Sequence, residues 1–224
     1  MVWKLKRAKR MNSSSFPLSP HIALIADASV VINLNATGRA ADIIKALGSP
    51  FFVTENASSE LANGSTKGYR DHDRLVELVD AGFVRTLSVQ STGLQIYESL
   101  IEGSTAGTLD DGEAATIACA YEISGIALID ERKARAICRT SLPKLPVLCT
   151  AELLIHHLIA DGLGADGQAD ALVKALTVAR MRVPPELVLS VTHLIGAEWV
   201  SKCPSLPKSA RQTMANEATA VLPR

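Results

Sequence analysis

The sequence predicts an α/β fold: a three-layer α/β/α domain with a central parallel sheet and a helical appendage at its C-terminal end. Short apolar segments alternate with longer amphipathic ones as far as Leu148, which is the pattern of strands connected by helices. Apolar residues make up 47% of the chain but aromatic residues only 4%, so Val, Ile, Leu and Ala must form the core. This composition favours helices packed on a buried parallel sheet.

Each predicted strand is a short apolar run, and glycines such as Gly48, Gly82 and Gly125 end the helices that separate them. The predicted strands are Ile22 to Ala26, Phe51 to Thr54, Val84 to Val89, Ile126 to Ile129, and Val147 to Leu148. Helices are predicted between and after them over residues 31–47, 56–61, 69–81, 94–101, 113–124, 131–140 and 151–160. Beyond Gly164 only helices are predicted, over residues 169–179, 185–195 and 210–221.

Charge and cysteine content argue against several classes of protein. The formal net charge is +0, so any basic surface for nucleic acid must be local. The 4 cysteines form no CxxC pair and are predicted to be buried hydrophobes in a reducing compartment. No apolar stretch is long enough to span a membrane, and no secretion signal is evident. We therefore expect a cytoplasmic protein without a membrane partner.

Three regions are predicted along the chain. Residues 1–20 carry Lys and Arg but no acid, and we interpret them as a flexible basic tail. Residues 21–164 contain the strand–helix alternation and form the main domain. Residues 165–224 form a helical C-terminal extension.

Acidic residues follow two of the predicted strands. Asp27 and Asp130 each come directly after an apolar strand, and Glu113 lies at the start of a helix. In open parallel sheets ligands bind beyond the carboxyl ends of the strands, so these acids can converge on one place. Clustered carboxylates repel one another, and oxygen ligands suit Mg²⁺ or Mn²⁺. The sequence thus predicts a divalent metal site.

Four segments carry a family resemblance, in the order IADASVVINL (25–34), TENASSELANG (54–64), LDDGEAATIACA (109–120) and ALIDERKARAIC (127–138). Together they resemble the PIN domain, a family of metal-dependent nucleases. The resemblance extends over roughly residues 22–197 and identifies residues 21–164 as a PIN-like nuclease domain. It looks like a bacterial and archaeal branch related to VapC-type toxins, in which a helical hairpin follows the nuclease core, and the tail DALVKALTVARMRVPPELVLSVTHLIG (169–195) is similar to that branch as well.

The resemblance implies a set of catalytic and metal-binding residues. Ser29 matches a small hydroxyl residue that often lies beside the first ligand, and Asp110, Asp111 and Glu131 are alternative acids close to the matching positions. The implied metal ligands are Asp27 after the first strand, Glu60 after the second, Glu113 opening the central helix, and Asp130 after the fourth.

Each acid also has a purely structural interpretation. Asp27 and Asp130 can cap the helices that follow them. Thr108 or Asp110 can cap the helix predicted over 113–124. Glu113 can be a first-turn partner of its helix dipole, and Glu60 a surface acid. A basic helix next to the site, with Arg132, Lys133, Arg135 and Arg139, can bind RNA phosphates or simply face solvent.

Together these features predict a Mg²⁺- or Mn²⁺-dependent endoribonuclease that hydrolyses RNA, acting as the toxin of a toxin–antitoxin pair. The alternatives are a non-catalytic PIN-like interaction module and a nuclease that acts on DNA. The expected partners are an RNA substrate, an antitoxin protein and a second copy of the chain. A symmetric homodimer is expected because the helices at 29–47 and 92–101 carry more apolar surface than a small sheet needs.

Overall fold

Five parallel strands form the central sheet of the computed structural model, which describes residues 18–102 and 107–212. Their spatial order is β3-β2-β1-β4-β5, so the chain winds outward from β1 in one direction and then from β4 in the other. The carboxyl ends of β1 and β4 therefore flank the switch point of the sheet. The strands are β1 Leu24–Ala26, β2 Phe51–Thr54, β3 Arg85–Leu87, β4 Ile126–Leu128 and β5 Val147–Leu148.

Helices cover both faces of the sheet, which confirms the three-layer α/β/α architecture. They are α1 Ala28–Ala36, α2 Ala40–Leu47, α3 Glu55–Ser65, α4 Asp71–Asp80, α5 Ser91–Ile101, α6 Asp111–Glu122, α7 Arg132–Ser141, α8 Thr150–Leu154, α9 His157–Thr177, α10 Val188–Ile195 and α11 Ala197–Val200, with a 3-10 turn at Pro185–Leu187.

The central strands are apolar on both sides because each side is buried. Leu24 and Ala26 face a core shared with α1, α2, α8, α9 and α10, whereas Ile25 between them faces a second core shared with α5, α6 and α7. β4 divides in the same way, with Ile126 and Leu128 in the first core and Ala127 in the second. This is the physical reason that buried parallel strands appear in the sequence as continuous apolar runs.

Two predicted helices are each divided in the structure. The helix predicted over 31–47 is broken after Ala36, where the Thr37 hydroxyl donates to Leu34 O (2.6 Å) and Gly38 takes a φ of 69°. The helix predicted over 151–160 is broken between α8 and α9, where His156 Nδ1 accepts from Leu158 N (3.3 Å) and caps α9. Apolar periodicity continues across both breaks, so the sequence pattern did not reveal them.

The C-terminal helices belong to the same core as the sheet. Ala171, Leu172 and Leu176 of α9 and Val191 of α10 are fully buried in the first core. Gly164 interrupts α9 with a φ of 77°, at the place where the C-terminal extension was predicted to begin. The division of the chain at 164/165 stays a prediction. The predicted helix over 210–221 and the predicted basic tail also stay predictions, because residues 213–221 and 1–17 lie outside the described part of the chain.

All 4 cysteines are buried and unpaired, as expected for small core residues. Burial raises the pKa of each thiol, which keeps it protonated and unreactive. Within the described residues no helix is both long and apolar enough to cross a membrane.

Candidate metal centre

A cleft of about 650 Å³ lies at the carboxyl ends of β1 and β4. This is the position that the switch point of the sheet predicts for a ligand. The register pairs Ala26 with Leu128, so the residues that follow these strands start side by side. Asp27 N donates to Leu128 O (3.1 Å), which fixes the backbone at this point. The acids that line the cleft are Asp27, Glu60, Asp110, Glu113, Asp130 and Glu131.

The two carboxylate oxygens of Asp27 have different surroundings. Oδ2 accepts from Ser29 N (3.3 Å) and from Ser29 Oγ (2.7 Å), so it caps α1. Oδ1 is buried and has no hydrogen-bond partner among the described residues. Asp27 is only 4% exposed, and burial raises the pKa of its carboxyl, with the charge of Asp110 adding to the effect and Ser29 opposing it. Asp27 can therefore cap α1 with Oδ2 and still offer Oδ1 to a ligand, so the two interpretations are compatible.

Glu113 and Glu60 face Asp27 from two different helices. Glu113 lies in the first turn of α6, is 6% exposed, and has its pKa raised to about 8 by burial and by the charges of Asp110 and Asp27. Glu60 lies on α3 with its pKa raised to about 6, again by burial first and then by Asp27 and Asp110. These shifts record mutual repulsion between carboxylates held close together.

Gly112 allows the acids to approach one another. An ideal Cβ at Gly112 would lie 2.8 Å from Glu60 Oε2 and 3.4 Å from Asp27 Oδ1. Any side chain at this position would therefore occupy the space between two of the predicted ligands. Gly112 was not predicted as a site residue, although it lies within the LDDGEA segment that resembles the PIN family.

Asp130 lies beside the cleft but is held by hydrogen bonds. Its Oδ2 accepts from Asn33 Nδ2 (2.7 Å) and from Thr150 Oγ1 (2.6 Å), and its Oδ1 accepts from Thr150 N (2.7 Å). Burial raises the pKa of Asp130, and the bonds from Thr150 and Asn33 oppose the rise. Asp130 thereby connects β4 to α1 and to the start of α8. It is not the cap of the helix that follows it, because Glu131 caps α7 by accepting from Lys133 N (3.4 Å).

The alternative acids have distinct positions. Asp110 caps α6 by accepting from Glu113 N (2.9 Å) and lines the cleft. Asp111 accepts from Tyr97 and from Asn56 Nδ2 (2.9 Å), and it is not among the residues that line the cleft. Glu131 lines the cleft and forms an ion pair with Arg182 Nη1 (3.8 Å). Asp110 and Glu131 thus remain candidates for a role in the site, and Asp111 has structural partners instead.

The donor set fits a divalent cation with oxygen ligands. Asp27 Oδ1 is a buried carboxylate oxygen without a partner, and the surrounding acids have raised pKa values that a positive charge would lower again. Among the described residues, however, no three His, Cys, Asp or Glu side chains already stand in position to hold a metal ion. The acids of the cleft are thus close enough to raise one another's pKa values but are not gathered around a single point.

Basic residues lie on the rim of the same cleft. Of the predicted basic helix only Lys133 lines the cleft, whereas Arg135 pairs with Glu152 (3.5 Å). Arg180 and Arg182, from the turn after α9, also line the cleft. These two arginines were not predicted as site residues, because nothing in the local sequence pattern shows that the C-terminal turn folds back to the sheet edge. The only available signal was their place in the tail that resembles the PIN branch.

Comparison with known proteins identifies the family of the chain. No curated protein and no solved structure matches the chain. A family model described as a PIN domain matches residues 23–197, a range that includes the whole sheet, every acid that lines the cleft, and the arginine-bearing turn. The chain therefore belongs to the PIN-domain family.

Proposed function

We propose that the protein is a Mg²⁺- or Mn²⁺-dependent endoribonuclease that hydrolyses RNA phosphodiester bonds. The chain has the nuclease-type fold of the PIN-domain family. The observation that carries the proposal is the unpartnered Asp27 Oδ1, buried at the switch point of the sheet. A buried carboxylate oxygen without a donor is costly, and a cation is the ligand that removes that cost.

The proposed ligands are Asp27, Glu60, Glu113 and Asp130. Asp27 is already oriented, since Ser29 holds its other oxygen. Glu113 is placed by α6, whose start Asp110 caps. Asp130 offers Oδ1, which accepts one hydrogen bond from Thr150 N and keeps a second lone pair. Hydrogen bonds from Asn33 and Thr150 fix its orientation, as partners of metal ligands commonly do.

A bound ion would activate the attacking water and neutralise charge on the phosphate. The protein itself would hold the scissile phosphate at the switch point of the sheet, in one orientation relative to the acids. Glu60 lines the cleft and is the most exposed of the four proposed ligands, so its carboxylate is in contact with solvent.

The biological role that we propose is that of the toxin of a toxin–antitoxin pair in the cytoplasm, with an antitoxin protein as partner. Support for it comes from the tail over residues 169–195, which resembles the VapC-type branch. Cleavage of DNA and a purely interacting role are the outcomes against which RNA cleavage is tested.

The experiment compares the wild-type protein with Asp27→Asn. Asparagine keeps an acceptor for Ser29 and hence the cap of α1, but it removes the charge next to the other acids. We expect cleavage of a labelled RNA by the wild type to stop in chelator and to return with Mg²⁺ or Mn²⁺. The Asp27→Asn variant should lose activity by roughly a hundredfold or more, since one metal-centred interaction accounts for several kcal/mol.

Asp161→Asn is the matched control, because it removes the same charge from an exposed position on α9 outside the cleft. It should cut RNA like the wild type. Equal cleavage in chelator, or full activity in folded Asp27→Asn, contradicts the metal mechanism. Cleavage of DNA but not of RNA contradicts the proposed substrate.

A further inference from the structure

The cleft has an acidic wall and a basic rim, and the C-terminal turn supplies two of the rim residues. We propose that Arg180 and Arg182 bind backbone phosphates of the RNA strand in the cleft, so that the C-terminal extension is part of the substrate site. This inference rests on the proposed function and assigns a substrate-positioning role that the acids cannot perform. Four carboxylates repel a polyanion, and a chain of net charge +0 offers no general attraction.

The backbone of Arg180 is the first observation. Its φ is 55°, in the left-handed region that glycine adopts at helix ends and that costs other residues free energy. The turn is held by its neighbour, because Met181 is 2% exposed and its N–H donates to Ala175 O (2.9 Å). Buried Met181 thus fixes the turn, and Arg180 is carried to the cleft at a conformational cost that glycine would avoid.

The environment of Arg182 is the second observation. Its side chain is 85% exposed, and its ion pair with Glu131 spans 3.8 Å. A pair this exposed stabilises a fold very little. A phosphate can offer the same guanidinium two parallel hydrogen bonds, which are stronger. Arg182 can therefore exchange Glu131 for a phosphate when RNA enters.

The position of the two arginines relative to the acids is the third observation. Both arginines line the same cleft as Asp27 and Glu113, on the turn that follows α9. A strand whose scissile phosphate lies at the acids therefore has neighbouring phosphates within the reach of this turn. Such contacts position the strand without reading its sequence.

The test measures binding of a labelled single-stranded RNA in chelator, where cleavage is prevented, over a series of salt concentrations. Each phosphate contact on a single strand contributes about −0.7 to the slope of log K against log salt, which is a loss of roughly fivefold in affinity at about 0.1 M salt. We expect each of Arg180→Gly and Arg182→Gln to reduce the slope and the affinity by about these amounts. In Mn²⁺, KM should rise more than kcat falls, and Arg180→Lys should recover most of the binding.

Ser124→Gly is the matched control for Arg180→Gly. Ser124 is the other described non-glycine residue with a positive φ (53°), and it lies at the far end of α6 from the cleft. Both glycine variants should melt at or slightly above the wild-type temperature, by up to about 3 °C. Only Arg180→Gly should weaken RNA binding. Arg180→Asn, which also tolerates a positive φ, replaces Arg180→Gly if the glycine variant does not fold.

The outcomes separate this inference from the proposed function. Suppose that the wild type cuts RNA but that both arginine variants keep the wild-type salt slope. The phosphate contacts then do not exist and the inference is wrong. Arg180→Asn takes the place of Arg180→Gly in this comparison if the glycine variant does not fold. If Ser124→Gly weakens binding as much as Arg180→Gly, the effect is not due to the arginine. A wild-type protein that neither binds nor cuts RNA overturns the proposed function, and this inference with it.

Discussion

At the scale of single residues, the site depends on groups that the fold leaves without protein partners. Asp27 uses one oxygen for Ser29 and leaves the other buried and unpaired. Gly112 leaves space next to that oxygen and next to Glu60 Oε2. Asp27 thus provides the unsatisfied acceptor, and Gly112 provides the room for a ligand beside it.

Gly112→Ala tests the need for that space. Alanine in a helix is more stable than glycine by about 1 kcal/mol, and Glu60 is a flexible side chain that can move away, so the fold should survive. The added methyl group would displace the Glu60 carboxylate from Asp27. We expect affinity for Mn²⁺ to fall roughly tenfold or more, as when an outer partner of a metal ligand is lost. Calorimetric titration measures it.

Gly64→Ala is the control for Gly112→Ala. Gly64 is also helical, on α3, but an added Cβ there makes only an ordinary contact with the Tyr69 side chain (3.8 Å). This variant should bind Mn²⁺ like the wild type. Unchanged affinity in Gly112→Ala would mean that the space beside Asp27 is not where the ion binds.

At the scale of secondary-structure elements, Asp130 is the link that holds the cleft together. Asn33 reaches it from α1, and Thr150 reaches it from the start of α8 with both its backbone N–H and its hydroxyl. Thr150 is fully buried and Asn33 is 6% exposed, so their donors have little access to water if Asp130 is lost. The two strand-end aspartates therefore differ in their contribution to stability.

Asp130→Ala should be more destabilising than Asp27→Ala. Removing Asp130 leaves buried donors unsatisfied, which costs about 2–4 kcal/mol of the free energy of unfolding. Removing Asp27 loses a helix cap, which costs about 1 kcal/mol. Urea unfolding in chelator measures both, and chelator excludes any contribution from bound metal. Equal losses would show that the Asp130 hydrogen bonds do not stabilise the fold.

At the scale of the whole molecule, the clustered carboxylates couple stability to pH. Glu113 has a pKa of about 8 and Glu60 of about 6 in the folded protein, against an ordinary value of 4.5. Between the ordinary and the raised pKa the folded protein retains a proton that the unfolded chain has released. Its free energy of unfolding therefore falls as pH rises through that window.

In chelator, the melting temperature should decrease as pH increases from about 5 to about 8. The melting temperature of the Glu113→Gln variant should decrease less over this pH range, because the glutamine side chain cannot ionise. Saturating Mn²⁺ should reverse the trend, since the ion binds deprotonated carboxylates and stabilises only the folded state. Differential scanning calorimetry at several pH values measures this. A melting temperature that is independent of pH in chelator contradicts the proposed crowding of charge.

The homodimer stays a prediction, but one of the two apolar surfaces on which it was based is buried within the chain itself. The apolar surface of α2 that the sequence left unexplained packs against α9 within the same chain, since Ile43, Ile44 and Leu47 are buried in the first core. On α5, Leu94 and Ile101 remain 45% and 37% exposed. These two residues are seven positions apart on one face of the helix, which makes α5 a candidate surface for a second copy.

The sequence by itself determined the layered fold and the position of the strand-end acids. Apolar runs of strand length followed by Asp27 and Asp130 are local signals, because parallel strands buried on both sides need continuous apolar residues. The pairing of β1 with β4 brings Asp27 and Asp130, which follow these strands, to the same edge of the sheet. The breaks after Ala36 and Leu154 were missed, because a capping hydrogen bond interrupts a helix without changing its apolar periodicity.

Only the tertiary structure decided how each acid is used. Asp27 and Asp130 look equivalent in sequence, yet one keeps an unpaired oxygen while the other accepts three hydrogen bonds. The difference arises from Asn33 and Thr150, which lie 97 and 20 residues from Asp130 along the chain. Arg180 and Arg182 reach the cleft for the same kind of reason, because buried Met181 holds their turn against the first core. Partners so distant in sequence meet only when the core packs, so no local pattern can encode them.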